Sequence, residues 1–498
     1  MSPTLFLTCF GIYVVGLTLF GTWISRRNQS GDEFLLGGRS LPFFLTLGTT
    51  IATIVGTGSS MGAVGKAYSA GWMGSLFGLG AFLGVMLTAV LFASARQHNF
   101  MTMAEELSSY VGGSRVVSNL VGVFTYLACV GWLGAHILGG GRYLQYVTEI
   151  DSHLAMGLIA LGFAVYSTIG GYRAVVWADT IQAVVLFVGF LFTAFYAYQS
   201  IGGIDGLRQT HATLSQTQST ATGPSFLPGL SLIVAITVGV LATPSFRQRI
   251  YSGNSVSEIK KAFFCSAFLA IGFALLPSII GMAAFKHNGD LAKSDLAFPY
   301  MATEMLPLAI GVLTLLAGLS ATMSSASSDA LSGVTIVVRD LHEIVLGRLP
   351  DAGRVVFLSR MALVATTGLA LVMALNANSI LGYITDMISL FITGMCVVGV
   401  LGKVWPRYNA AGSIASMIGA FATALAFLIQ SNRLGPEQIQ SSWSHYWGGA
   451  VIPALVVATI LGIGFSLLTP ADKRSHAEAV KMLSERRETM SGDETASA

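Results

Sequence analysis

Long apolar segments alternate with short polar segments along almost the whole chain. A bilayer core of about 30 Å requires about 20 apolar residues in a helix, and within lipid only helices or closed barrels satisfy every backbone polar group. With that length as the measure, about thirteen membrane-spanning helices are predicted. They cover roughly residues 5–25, 42–65, 75–95, 117–138, 154–170, 174–198, 227–244, 262–285, 307–338, 355–375, 380–402, 411–429 and 450–468.

The composition supports an integral membrane protein. Of the 498 residues, 53% are hydrophobic and only 10% are charged, whereas ordinary soluble domains are about 25% charged. The net charge of +3 is small and the basic residues are dispersed, so a nucleic-acid partner is not expected. The four cysteines lie singly in apolar runs, which argues against a disulfide framework or a zinc site. Nothing in the sequence indicates an obligate protein partner; the lipid bilayer is the expected surrounding.

The basic residues predict an orientation. Arg26 and Arg27 follow the first apolar run and no Lys or Arg precedes it, so this run is predicted to be a retained helix rather than a signal peptide. When the loops are assigned alternately to the two sides, the basic residues divide roughly 21 to 6, with Arg247 and Arg249 in the larger set. The larger set belongs inside, which predicts an outer N-terminus and a cytoplasmic C-terminus in the plasma (inner) membrane.

The polar segments contain no separate soluble domain. The longest predicted outside loop, residues 199–226, is rich in Gly, Ser and Thr. Residues 471–498 form a charged cytoplasmic tail that is expected to be partly helical and then disordered. Function is therefore expected among the membrane helices.

Two of the apolar runs carry unusual polar patterns. The segment "TTIATIVGTGSSMG", residues 49–62, places three glycines and several hydroxyls inside a predicted helix, which favours either a local break or close packing of small residues. Trp132 and His136 are four residues apart and so share a helix face. Taken alone, Trp132 is typical of packing and His136 of a hydrogen-bonded core histidine.

A carboxylate and a group of serines are the strongest functional candidates. An unpaired Asp179 inside the membrane is strongly disfavoured, so a cation or a proton must accompany it. Ala321, Ser324, Ser325 and Ser328 follow helical spacing and form one stripe, with Ser327 on its flank. Hydroxyl and carbonyl oxygens suit a small hard cation, although small residues also allow close helix packing. The nearby Asp329 is open to three interpretations: a second cationic ligand, a proton carrier or an ion-paired structural residue.

Three motifs carry a resemblance to a known family. "GGRSL" (residues 37–41), "GGYRAVVWADTIQA" (170–183) and "ATMSSASS" (321–328) resemble the solute:sodium symporter family, and the similarity extends from Arg26 to about Leu468. Its members carry proline, pantothenate, sugars, iodide, sialic acid, choline or monocarboxylates. The resemblance implies a secondary active transporter that brings a small organic solute into the cell with Na+ by alternating access. Proton-coupled symport and a non-transporting sensor are the alternatives. An enzyme is not expected, because the eight histidines are scattered without a metal-binding motif.

The resemblance also implies an all-α polytopic fold similar to the leucine transporter. Five helices in residues 42–198 are expected to be repeated in inverted orientation in residues 227–402, which together form the transport core. Residues 1–41 would add one N-terminal helix, 403–470 two C-terminal helices and 471–498 the tail. In such folds the first helix of each repeat is discontinuous, and residues 56–62 and 239–244 fit the two breaks.

Site residues follow from the same resemblance. The main sodium site would use the backbone carbonyls of Ala52, Val55 and Ala321 with the hydroxyls of Ser324 and Ser325. A second sodium site, found in some members, resembles Asp179, Ser324, Ser327 and Ser328. Positions expected to face the solute are Ser59, Trp132, His136, Val240 and Pro244. Ile236 and Val240 replace aromatic residues of the proline carriers, and Ile54 replaces an acidic one; these departures argue against proline and leave the solute open.

Overall fold

The structure, a computed structural model, describes residues 2–25, 31–219, 226–377, 379–434, 442–471 and 474–491. Within these ranges the protein is almost entirely helical, and the one isolated β-bridge joins Leu41 to Gly253. Three predicted features fall on other residues: the Arg26–Arg27 pair, the last part of the loop before Phe226, and the end of the tail. These lie outside the described residues. For the rest of the chain the prediction of an all-α protein is confirmed.

The first half contains long helices joined by short connections. The helices are α1 (Pro3–Ser25), α2 (Gly31–Leu36), α3 (Phe43–Ile54), α4 (Ala63–Ala70), α5 (Leu76–Phe92), α6 (Met103–Ser109), α7 (Arg115–Thr148), α8 (Ser152–Ser200) and α9 (Gly203–Ser219). The two apolar runs predicted at 154–170 and 174–198 both fall within α8, which is interrupted at Gly171 (φ 61°, ψ −179°). Glycine suits this position because other residues rarely adopt a positive φ there.

The second half also consists of helices joined by short connections. Its helices are α10 (Phe226–Ala242), α11 (Pro244–Ser252), α12 (Val256–Phe273), α13 (Leu275–His287), α14 (Ala297–Tyr300), α15 (Leu308–Ile336), α16 (His342–Leu346), α17 (Val355–Ala374), α18 (Ile380–Met387), α19 (Thr393–Val404), α20 (Ala410–Arg433), α21 (Trp443–Trp447), α22 (Val451–Leu468) and α23 (His476–Ser491). The helix α15 is central, and it packs against both α7 and α8.

The lengths and composition of these helices fit a membrane-spanning bundle. Within the described residues, ten helices are long and apolar enough to cross a membrane, and the bent pair α10–α11 makes eleven. Two shorter apolar helices, Phe43–Ile54 and Ser152–Ala164, are additional. The count of thirteen therefore stays a prediction. Large apolar side chains such as Val184, Phe195, Phe357 and Val372 are exposed on the outside of the bundle, as expected where lipid covers the surface.

Both predicted helix breaks are present. The helix α3, the first of the first predicted repeat, ends at Ile54, and a π-helical segment, Gly58–Gly62, leads into α4. The second break separates α10 from α11, which are bent by 41°. Pro244 occupies the first position of α11, where its missing N–H costs no helical hydrogen bond.

One predicted loop is partly helical. The sequence predicts a loop at residues 199–226, but α9 occupies Gly203–Ser219. Leu207 and Leu214, seven residues apart, are buried on one face of α9, which packs against α4 and α13. Apolar residues seven apart lie on one side of a helix, so this otherwise polar helix has an apolar side toward the bundle.

Candidate functional site

The end of α3 supplies backbone carbonyl groups. The last carbonyls of a helix have no partner within it, so α3, by ending at Ile54, releases acceptors inside the protein. The carbonyl of Ala52 accepts hydrogen bonds from the hydroxyls of Ser324 (3.1 Å) and Ser325 (3.4 Å). Val55, also buried, is the residue that caps α3. Polar side chains of α15 thus satisfy the carbonyls of the broken helix.

The serine stripe of α15 faces this break. Ser324 also contacts the carbonyl of Ala321 (3.3 Å), and Ser325 donates to the carbonyl of Thr53 (3.3 Å). Gly56 lies so close that a Cβ there would collide with the Ser325 hydroxyl. The structure therefore brings Ala52, Ala321, Ser324 and Ser325 together, with Val55 next to them along the chain. Such a set of neutral oxygens suits a hard monovalent cation.

Asp179 lies next to this set, on α8. Its Oδ2 accepts hydrogen bonds from the hydroxyls of Thr49 (2.6 Å) and Ser328 (3.0 Å). Ser327 donates to the carbonyl of Ser324 (3.1 Å). Asp179 is fully buried, and its Oδ1 has no hydrogen-bond partner within the described chain. The four residues predicted for a second sodium site are neighbours, but their role stays a prediction.

A buried arginine shares the Asp179 region. The guanidinium of Arg249 lies 3.7 Å from Asp179 Oδ2 and donates to the hydroxyls of Thr49 (2.9 Å), Ser328 (2.8 Å) and Thr53. It also donates to the carbonyl of Ser245 (2.6 Å). A cationic side chain of the protein thus accompanies the buried carboxylate. The sequence predicts that a cation or a proton must do so, but it does not show which group supplies the charge. By bonding to α3 and α15, Arg249 ties α11 to both.

The expectation that Arg247 and Arg249 lie in a loop was wrong, because both are buried in α11. Arg247 pairs with Glu106 at 2.8 Å, and its guanidinium lies 3.3 Å from the centre of the Phe92 ring. A buried guanidinium is tolerated only when it is paired and hydrogen-bonded in this way. The partners of the two arginines, Glu106 and Asp179, are both distant in sequence. The charge pattern alone therefore cannot show that the arginines are paired and buried, and it predicts a loop.

A cavity lies beside the cation ligands. Four of the predicted solute-facing residues line it: Ser59, Trp132, His136 and Val240. Pro244 is not among the described residues that line the cavity, although its neighbours Thr243 and Ser245 are. Pro244 instead shapes the helix break. Further lining residues, not singled out from sequence, are Phe77, Ala81, Thr243, Ser245 and Phe246.

Trp132 and His136 extend from α7 into this cavity. The indole Nε1 of Trp132 donates to the hydroxyl of Thr243 at the second break (3.0 Å). His136 is hydrogen-bonded through Nδ1 to Thr57 at the first break (2.8 Å) and through Nε2 to Asp329 on α15 (3.1 Å). The two residues thus connect α7 to both discontinuous helices. The pairing with His136 favours, among the three interpretations of Asp329, that of a paired residue, and it places this pair in the cavity wall.

Comparisons with known proteins agree with this geometry. The family model described as "Sodium:solute symporter family" matches residues 34–420. The sodium/glucose cotransporter of Vibrio parahaemolyticus is 26% identical over 467 residues, which cover 84% of this chain and 83% of that protein. The sodium/proline symporter of Salmonella typhimurium is 25% identical over 487 residues, 93% of each chain.

A solved structure shares the fold. A Na+-coupled sialic acid symporter, in a substrate-bound outward-open state, superposes with a TM-score of 0.78 at 19% identity, covering 94% of this chain and 99% of that one. The predicted leucine-transporter-like fold is thereby confirmed. The predicted resemblance, the sodium coupling and the assignment as a transporter rather than an enzyme are confirmed by the family match and the relatives. The chain therefore belongs to the sodium:solute symporter family and is an integral membrane transporter that couples the movement of a small solute to sodium.

Proposed function

We propose that the protein imports a small organic solute and that the driving Na+ binds between α3 and α15. Its ligands are the carbonyls of Ala52, Val55 and Ala321 and the hydroxyls of Ser324 and Ser325. One observation carries the proposal: the hydroxyls of Ser324 and Ser325 meet the carbonyl of Ala52 where α3 ends. Both hydroxyls can rotate their protons away and turn oxygen lone pairs toward a cation.

Coupling follows from shared residues. Gly56 and Ser325 line the solute cavity, and Ser325 is also a proposed sodium ligand. A sodium ion between the broken helix and α15 would therefore fix one wall of the cavity before the solute enters. Binding linkage is reciprocal, so sodium raises the affinity for solute by the same factor by which solute raises the affinity for sodium. The coupling free energy is typically about 1–3 kcal/mol.

A second sodium ion is proposed at Asp179, Ser324, Ser327 and Ser328. Support comes from the unpartnered Oδ1 of Asp179, because a buried carboxylate oxygen without a hydrogen bond is costly. Arg249 lies on the Oδ2 side of this carboxylate. A sodium ion at Oδ1 would share the carboxylate with the guanidinium and would bind more weakly than at a site without this cation.

We place the N-terminus outside and the C-terminus in the cytoplasm. Contacts between loops support the charge assignment. Arg39 and Arg96 both belong to the larger of the two sets of basic residues. Arg96 donates to the carbonyls of Gly253 (2.5 Å) and Arg39 (3.2 Å), so the two arginines lie at one end of the bundle. The division into residues 1–41, a transport core at 42–402, two helices at 403–470 and a tail at 471–498 belongs to the same proposal. The helix α23, in the tail, docks on α6, and α6 is followed by Arg115, which also belongs to the larger set of basic residues.

Sodium titration of solute binding to the purified protein tests this proposal. Thermal stabilisation by a solute library should be measured in Na+ and in K+ at fixed pH, because a ligand stabilises the state that it binds. We expect at least one solute to bind more tightly in Na+. If every solute that binds does so equally in both salts, the proposed coupling through α3 and α15 is wrong.

A further inference from the structure

The polar lining of the solute cavity consists mainly of hydrogen-bond acceptors. Ser59 donates its proton to the carbonyl of Ile54 (2.9 Å), Thr243 to that of Gly239 (2.6 Å) and Ser325 to that of Thr53 (3.3 Å). Because each hydroxyl has one proton, these three groups have only oxygen lone pairs left, for a solute or, at Ser325, for the proposed sodium ion. Ser245 is different: its hydroxyl has no partner within the described chain. A solute that donates several hydrogen bonds and accepts few fits this lining.

Asp329, which lines the same wall, has a carboxylate oxygen without a hydrogen-bond partner within the described chain. Asp329 is 2% exposed, and its Oδ2 faces Nε2 of His136. Its Oδ1 is buried and has no hydrogen-bond partner within the described chain. A carboxylate oxygen left without a donor in a low-dielectric site is costly, and a ligand that supplies a charged donor removes that cost. A charged donor from outside the protein would engage the free lone pairs of Oδ1.

The charges of the lining disfavour an anionic solute. Among the described residues that line the cavity there is no Lys or Arg, and the ionisable ones are Asp329 and His136. A carboxylate or phosphate would meet the Asp329 charge, and no Lys or Arg side chain of the wall itself is there to pair with it. The rest of the wall is apolar, with Phe77, Trp132 and Ile236 among its members, and suits a hydrocarbon body.

We propose that the transported solute is a small organic amine in its protonated form, with its ammonium group bound to Oδ1 of Asp329 and its carbon body against the apolar wall. The inference rests on the proposed function, because it takes this cavity as the solute site. Asp329 is then a specificity-determining residue, and His136 positions its carboxylate through the bond to Oδ2. An ammonium with N–H groups is preferred over a quaternary one, since Oδ1 accepts a hydrogen bond.

The test uses three probes with one carbon skeleton: cyclohexylamine, cyclohexanol and cyclohexanecarboxylate. Each is titrated against the melting temperature of the purified full-length protein, in NaCl and in KCl. We expect the amine to stabilise the protein at concentrations at least about tenfold lower than the alcohol or the carboxylate, because a hydrogen bond to a charged group contributes more than a neutral one. The stabilisation should be larger in NaCl, where sodium and solute bind together.

Two variants connect the effect to the carboxylate. Asp329→Asn should raise the half-effective amine concentration roughly 10- to 100-fold. Asp329→Glu keeps the charge and should retain the preference for the amine over the alcohol. The matched control is Asp386→Asn, which removes a carboxylate that lines a separate cavity beside Ser389 and Phe427; it should leave the amine titration unchanged.

Several results would overturn the inference. These are stabilisation by the carboxylate or the alcohol at concentrations equal to or below those of the amine, no stabilisation by the amine, and an unchanged amine titration in a folded Asp329→Asn variant. If that variant does not fold, the three probes on the parent protein decide. An amine effect larger in KCl than in NaCl would mean that the amine replaces sodium, which also contradicts a solute site. Sodium-dependent binding of another solute class refutes this inference alone, whereas binding of every solute without regard to sodium refutes the proposed function.

Discussion

Replacing Ser325 by alanine should weaken sodium activation without unfolding the protein. The Ser325 hydroxyl makes two long hydrogen bonds, 3.4 Å to the carbonyl of Ala52 and 3.3 Å to that of Thr53, so little is lost when it turns toward a cation. A hydrogen-bonding group that interacts with a charge contributes about 1.5–3 kcal/mol. Loss of this ligand should therefore raise the half-saturating sodium concentration roughly 10- to 100-fold.

Ser320 provides a matched control on the same helix. Its hydroxyl donates to the carbonyl of Leu316 (2.7 Å) and lies 2.6 Å from the hydroxyl of Tyr13 on α1, away from the break in α3. Ser320→Ala should lower stability by about 0.5–1.5 kcal/mol through the loss of this contact. Its half-saturating sodium concentration should equal that of the parent.

The assay is initial solute uptake into proteoliposomes as a function of external sodium, at fixed membrane potential. Potential must be fixed because moving one charge through 100 mV contributes about 2.3 kcal/mol. The melting temperature of each variant shows whether it is folded. If both serine variants have the half-saturating sodium of the parent, the serine stripe is a packing surface and the proposed main site is wrong.

Three further predictions concern groups around the site and the buried charges. Gly56→Ala should also weaken sodium activation, because a Cβ there would displace the Ser325 hydroxyl, whereas Gly16→Ala, with open space around it, should not; equal sodium titrations for the two variants would contradict this. Asp179→Asn should lower the apparent sodium affinity or the number of ions coupled, measured as the ratio of sodium to solute flux, and an unchanged ratio and affinity would count against the second site. Glu106→Gln should lower the free energy of unfolding by about 3–5 kcal/mol because the buried Arg247 loses its countercharge. Asp205→Asn, which removes an exposed pair, should change it by less than about 1 kcal/mol, and equal losses in denaturant titrations would refute this reasoning.

The sequence predicts what depends on local periodicity. The apolar runs give most of the membrane helices, and helical spacing places Ser324, Ser325 and Ser328 on one face of α15, where they meet α3 and α8. The breaks are recognisable from the glycines before α4 and from Pro244. These features are determined by neighbours within about two helical turns, so a single sequence contains them.

Contacts between distant segments could not be predicted in this way. His136 and Asp329 are 193 residues apart, and Arg247 and Glu106 are 141 residues apart. The positive-inside rule counts basic residues near helix ends as loop residues. It misplaces Arg249 because the span that begins with α10 continues through the 41° bend into α11, where Arg249 is buried beside Asp179. The packing of α9 depends likewise on helices that precede and follow it by many residues.

The ion that drives accumulation is the most direct test of sodium-coupled import. Proteoliposomes with the purified protein should be given, in turn, an inward sodium gradient, an inward proton gradient without sodium, and neither gradient, with uptake of a solute identified by thermal stabilisation as the readout. The arrangement of carbonyl and hydroxyl oxygens between α3 and α15 predicts accumulation above the external concentration with the sodium gradient alone, and its loss when a sodium ionophore dissipates the gradient. Accumulation driven by the proton gradient in sodium-free medium would contradict the account.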